Sequence, residues 1–148
     1  MAQNIFDSGA IVTVATFSGD NDLSGIYTNG DTVAPGVTPG DTGIILSTGD
    51  AEDFTNSSGQ SNQSNSTSTN KSGVNNDAQL NAAVGAGTRD AAILDIDFIP
   101  TGSDMTMKFV HSSEEYPEFQ NSVYQDFVGV SINGSQVNQR QHSRSILA

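Results

Sequence analysis

The chain has 148 residues, 17 acidic side chains against 5 basic ones for a formal net charge of −12, and no cysteine or tryptophan. That length suits one domain with its own core, and the missing cysteines exclude a disulfide framework, a thiolate metal site and a cysteine nucleophile. Nucleic acid and anionic membrane surfaces are poor partners, because Lys71, Arg89 and Lys108 are the only basic side chains before residue 140.

With 19 Ser, 13 Thr, 13 Asn and 15 Gly, the composition favours turns and strands over helices and has an extracellular character. The first seven residues carry no basic export signal, and no stretch approaches the ~20 apolar residues that span a bilayer. Export by a route not read at the N-terminus, or derivation from a longer chain, fits these two facts. Residues 11–17 are β-branched and alternate in part, which predicts the first strand.

Residues 20–31 form the best local metal signal. Asp20, Asp22, Ser24, Thr28 and Asp31 fall at positions 1, 3, 5, 9 and 12 of a calcium loop. Ile26 supplies a backbone carbonyl at position 7, and Gly25 stands where such a loop turns sharply. An Asp/Gly-rich hairpin loop explains the same residues without a metal. Residues 43–47 read as a short buried strand, followed by a Ser-Thr-Gly turn and an acidic knot of Asp50, Glu52 and Asp53.

Residues 55–77 are a low-complexity run of Ser, Asn, Gln, Thr and Gly in which Val74 is the one apolar side chain. By composition this is a loop that buries too little to order itself, and it has to be held by something else. One short helix is predicted over residues 77–84, with Asp77 as N-cap and Gly85 as the stop. Residues 92–98 alternate cleanly, with Leu94, Ile96 and Phe98 on one face. After a turn at residues 100–104, residues 105–110 repeat the pattern with Met105, Met107 and Phe109 inward. The longest predicted strand is residues 124–132.

Between those last two strands, residues 111–119 concentrate Glu114, Glu115 and Glu118 beside Tyr116, Pro117 and Phe119. Glu114 or Glu115 with Asp126 would make a second calcium site. The same glutamates read alternatively as a glycosidase-like carboxylate pair, or as caps on a rigid turn. No nucleophile elbow and no phosphate loop is present, and the Asn-x-Ser/Thr triplets lie mostly within the low-complexity run. No acid follows Asp126, so Arg140 and Arg144 make the tail basic.

Three blocks carry a family resemblance. They are residues 43–49, residues 90–102 ending in Phe-Ile-Pro-Thr-Gly, and the Ser-Ser-Glu-Glu-Tyr-Pro-Glu-Phe block at residues 112–119. In this order, across residues 43–134, the chain resembles the bacterial choice-of-anchor L domain family. The resemblance implies a secreted or surface-attached bacterial protein, without enzymatic activity, serving display, adhesion or matrix building. Such domains usually continue with further strands where this chain offers a polar tail. The resulting open edge would suit self-association, with residues 4–17 of a neighbour added as a strand and repetition giving a filament.

The expected architecture is therefore a single all-β domain over residues 1–134, an antiparallel β-sandwich of jelly-roll type with at most one short helix. A basic tail follows at residues 135–148. The expected function is calcium-stabilised structural or adhesive work outside the cell. A glycan-binding module and a carbohydrate-active enzyme using Glu114 and Glu115 are the alternatives.

Overall fold

The computed structural model describes residues 2–6, 8–54, 69–113 and 126–137. Its longest ladder pairs β1 (Ala10–Ser18) antiparallel with β4 (Ile93–Pro100). The pairing runs from Ala10 opposite Pro100 to Ser18 opposite Ile93. It is interrupted between Val12 and Val14, where Thr13 is the extra residue of a bulge. The bulge accounts for the partial alternation of the sequence. Val12, Ala15 and Phe17 share the face of Phe98, Ile96 and Leu94, a set no strict two-residue period would select. Thr13 Oγ1 donates to the Asp97 carbonyl across the bulge at 3.0 Å.

A single helical turn, α1 (Gln3–Phe6), precedes β1 and lays the Phe6 ring on Phe98, with centroids 4.7 Å apart and planes tilted by 35°. Ala2 and Ala10 are buried on either side of it. After β1 the chain makes a 3-10 turn at Asn21–Leu23 and enters β2 (Ser24–Tyr27), which pairs with β3 (Gly43–Leu46). Leu23 at this corner is the one large side chain removed from solvent, at 0% exposure, among the described residues. Helix α2 (Gly30–Val33) lies between β2 and β3, and a second 3-10 turn at Ala51–Phe54 follows β3. Helix α3 (Ala78–Val84) forms as its caps predict. Asp77 accepts from Gln79 N and Leu80 N at 2.9 Å, and Gly85 closes it at φ 73°. A terminal hairpin joins β5 (Ser131–Ile132) to β6 (Ser135–Gln136).

The fold is strand-rich with antiparallel sheets, as expected, but two expectations, the number of helices and the later strands, need correction. The described residues hold three short α-helices and two 3-10 turns, not at most one helix. One-turn helices such as α1 and α2 carry no periodic signal to read. Among the described residues, 105–110 join no ladder, and of the long strand predicted at residues 124–132 only Ser131–Ile132 is a strand; residues 124 and 125 lie outside the described set. Alternation selects a face, and a strand also needs a partner edge. The described ladders are three separate two-stranded sheets, and these alone do not compose a sandwich or jelly roll. The terminal hairpin also runs past residue 134, into the segment read as tail.

Candidate functional site

The acidic residues of the predicted calcium loop divide between the two ends of β2. At one end, the Asp20 carboxylate caps the 3-10 turn by accepting from Asp22 N at 3.2 Å, and Ser24 Oγ donates to the Asn21 carbonyl at 3.3 Å. Ile26 sits within β2 opposite Ile44. At the other end, beyond Thr28, Asn29 adopts the left-handed conformation at φ 61° and Asp31 enters α2. Four strand residues span roughly 13 Å, whereas the ligands of one calcium each stand 2.3–2.6 Å from it. Strand β2 thus stands between Asp20 and Asp22 at one end and Asp31 at the other.

Asp31 instead meets Asp41, whose Oδ1 accepts the Asp31 backbone N–H at 3.3 Å. Tyr27 lies between these elements, flat against two glycines. A Cβ on Gly30 would come within 3.0 Å of the ring, and one on Gly43 within 2.5 Å, so neither position accepts a side chain without moving the tyrosine. The phenol is pushed up from its ordinary value, first by burial and further by the charges of Asp31 and Asp41, against the opposing hydrogen bond with Gly40.

At the opposite end, Asp22 meets Asp50 of the acidic knot, and a residue the sequence reading passed over joins them. Lys71 Nζ donates to Asp22 Oδ2 at 2.5 Å and stands 3.3 Å from Asp50 Oδ2. These are the ion pairs of the described residues. The hydrogen bond to Asp22, then that to Asp50, holds the ammonium well above its usual range. The Asp50 carboxyl is lowered, first by the Glu52 backbone N–H that it accepts at 3.0 Å and then by Lys71. The cation at this acidic cluster is thus a lysine from the low-complexity run. Its one sequence signal was that it is the first basic residue of the chain.

Lys71 belongs to a strap, residues 69–76, laid across the loops. Thr69 Oγ1 accepts the Asp50 N–H at 2.7 Å, and the Ser72 carbonyl accepts Asp20 N at 3.0 Å. Val74 exchanges both backbone bonds with Ala91, and Asn76 N donates to the Thr88 carbonyl at 2.8 Å. Gly73 passes so close to the Asp90 backbone that no Cβ fits. Beside the strap, Asn75, Asn76, Gly87 and Arg89 line an open polar depression of about 430 Å³. Its wall is fixed by Asp90 N donating to Asn75 Oδ1 at 3.1 Å, and by Thr88, whose N–H and hydroxyl both reach Asn81 Oδ1.

The second predicted cluster is only partly visible. Glu114 and Glu115 lie outside the described residues, and Asp126 is exposed on a stretch without a ladder. Among the described residues no three His, Asp or Glu side chains converge as a metal group. No helix among them is long and apolar enough to cross a membrane.

The ladders and the strap make this a strand-rich domain of small antiparallel sheets. The chain belongs to the Choice-of-anchor L domain family, whose model matches residues 1–146. The match extends well beyond the three motif blocks at both ends, and β1 shows why at the N-terminus: it is the strand that pairs with the β4 block. Membership makes this a surface or extracellular protein. No curated protein and no solved structure matches the chain.

Proposed function

We propose that the chain is a non-catalytic structural and adhesive module that associates with copies of itself to build a surface layer, matrix or filament. The carrying observation is the apolar surface its sheets leave open. Ile11 and Ile99 are cross-strand neighbours, each 57% exposed, and Val14 lies on the same face of that sheet. On the second sheet Ile26 and Leu46 are likewise exposed. Contiguous open apolar surface marks a site of association, and association is what would complete the antiparallel jelly-roll sandwich.

Calcium stabilisation belongs to the same reading. The Asp41 carboxylate lies against the Asp31 backbone N–H with no basic side chain in ion-pair contact among the described residues, and a divalent cation would find carboxylate oxygens there. Glu114 or Glu115 with Asp126 is the second proposed locus. The test is light scattering and electron microscopy across a concentration series, with melting curves in calcium and in chelator. Assembly should grow with concentration, and calcium should raise the melting temperature. A strictly monomeric protein at high concentration sinks the association reading, and indifference to chelator removes calcium.

One observation favours a second reading, glycan binding. The depression lined by Asn75, Asn76 and Arg89 presents side-chain amides and a guanidinium that no carboxylate of the described residues engages. Such groups suit a hydroxyl-rich ligand. Arg89→Ala should abolish any glycan-array signal, and a signal that survives it moves the ligand elsewhere. The enzymatic alternative rests on Glu114 and Glu115, and no observation favours it.

A further inference from the structure

Sheet β1–β4 ends at β4, whose second edge carries no ladder among the described residues. The chain then turns at residues 101–104 and presents residues 105–110, which have strand alternation and join no ladder among the described residues. Met105, Met107, Phe109 and Val110 are 42%, 48%, 42% and 41% exposed. Among the described residues, one edge and one strand-like segment without a ladder therefore coexist in each copy.

Their chemistry is complementary in registers two residues apart, of which one pairs the most groups. Side-chain faces alternate, so a shift by one residue would place every apolar group on the wrong side. The antiparallel register that sets Met107 beside Phe98 and Phe109 beside Ile96 also sets Lys108 opposite Asp97 and Thr106 opposite Ile99. A slip of two residues along β4 still leaves Lys108 facing an acid, Asp95. Copies with a formal charge of −12 repel one another, so a contact between them has to bring a cation to a carboxylate. Lys71 is already engaged by Asp22 and Asp50. Lys108 has no ion pair among the described residues, and it lies at the centre of the unpaired strand.

We propose that the free edge of β4 accepts residues 105–110 of a second copy as a third strand. This rests on the self-association reading and names its contact. Reciprocal exchange closes a two-fold dimer, and exchange in one direction propagates a chain of copies. The N-terminal segment is not the donor, because β1 is already paired within its own chain.

The absence of native cysteine makes the test direct. One sample of the full chain carries Ile99→Cys and another carries Thr106→Cys, both at exposed positions. Mixed and oxidised, they should form the heterodisulfide in excess over either homodisulfide. Lys108→Asp should lower association roughly fivefold, the size of a cross-strand charge pair, and mixing it with Asp97→Lys should restore it. The charge-reversal pair is read by sedimentation and stands even if a cysteine variant folds poorly. Absence of the heterodisulfide overturns the proposal. So does a chain carrying both cysteines that links only within a monomer, since the strand then folds back on its own β4. Assembly without the cross-link overturns this contact alone, whereas a monomer at every concentration overturns the association reading with it.

Discussion

The strap at residues 69–76 is bonded to three separate parts of the chain, at Asp20–Asp22, at Asp50 and at Thr88–Ala91, while residues 105–110 are bonded into no ladder among the described residues. The strap has one apolar side chain, Val74, and the second segment has four. A polar segment is thus fixed where donors and acceptors meet it, and an apolar one stays open where no edge does. Backbone groups are obligatory hydrogen-bonding groups, so a chain without apolar content can be held wherever its amides and carbonyls find partners. Side-chain burial supplies little of that hold here, since none of the strap's residues is fully buried.

The sharpest way to break this contrast is at Gly73. The Asp90 backbone occupies the space a Cβ would need, and Asp90 is itself in the left-handed region at φ 51° with little freedom to retreat. Gly73→Ala should therefore cost about 1–3 kcal/mol, the range for forcing atoms into occupied space. Urea unfolding followed by circular dichroism reads the change. Amide exchange should show Val74 and Ala91 losing protection first. A substitution without effect would mean that the strap is not seated on residues 88–91.

A smaller effect is expected at the ionic clamp. Asp50 is lowered in the folded chain, so its contribution is complete above the ordinary carboxylate value near ~4 and is lost as pH falls through the folded value. Lys71 is raised, so its contribution is complete below its ordinary value near ~10.4 and is lost only as pH rises beyond it. Between those limits the clamp should not vary with pH. In Lys71→Met the acid limb of the melting profile should shrink without vanishing, because the Glu52 N–H still favours ionised Asp50. An acid limb identical to that of the parent chain would show that Lys71 does not couple to Asp50. The variant also leaves Asp22 and Asp50 without their cation, so calcium should stabilise it more than the parent.

The two regions also mark what a sequence can and cannot announce. Strand β4 was legible because residues 94–98 alternate, and Ala78–Val84 because its cap and stop residues are local. β1 was legible as a strand but not in its facing, since the Thr13 bulge is decided by the ladder with β4. β2 was hidden inside a calcium-loop spacing, because four residues satisfy both patterns and only the pairing with β3 separates them. The Lys71 clamp joins positions 22, 50 and 71, and nothing local relates them. The Asp31 backbone N–H meets Asp41, ten residues on, a companion that the calcium-loop spacing does not contain.

The smallest effect is the most informative about residues 105–110. Phe109 is 42% exposed and belongs to no ladder among the described residues, so within one copy its ring is expected to hold little of the fold together. Phe109→Ser should change the stability of a dilute, monomeric sample by less than about 0.5 kcal/mol, as an exposed substitution does. A strand that had closed on its own β4 would behave otherwise, because Phe109 would then lie beside Ile96 and lose a cross-strand contact on substitution. If the same serine leaves the dilute melting curve unchanged yet lowers assembly at high concentration, the ring acts between copies and not within one. Equal losses in both would place residues 105–110 in the fold of the single chain. The contrast with the strap would then be only one of chemistry, polar bonds for one segment and apolar burial for the other.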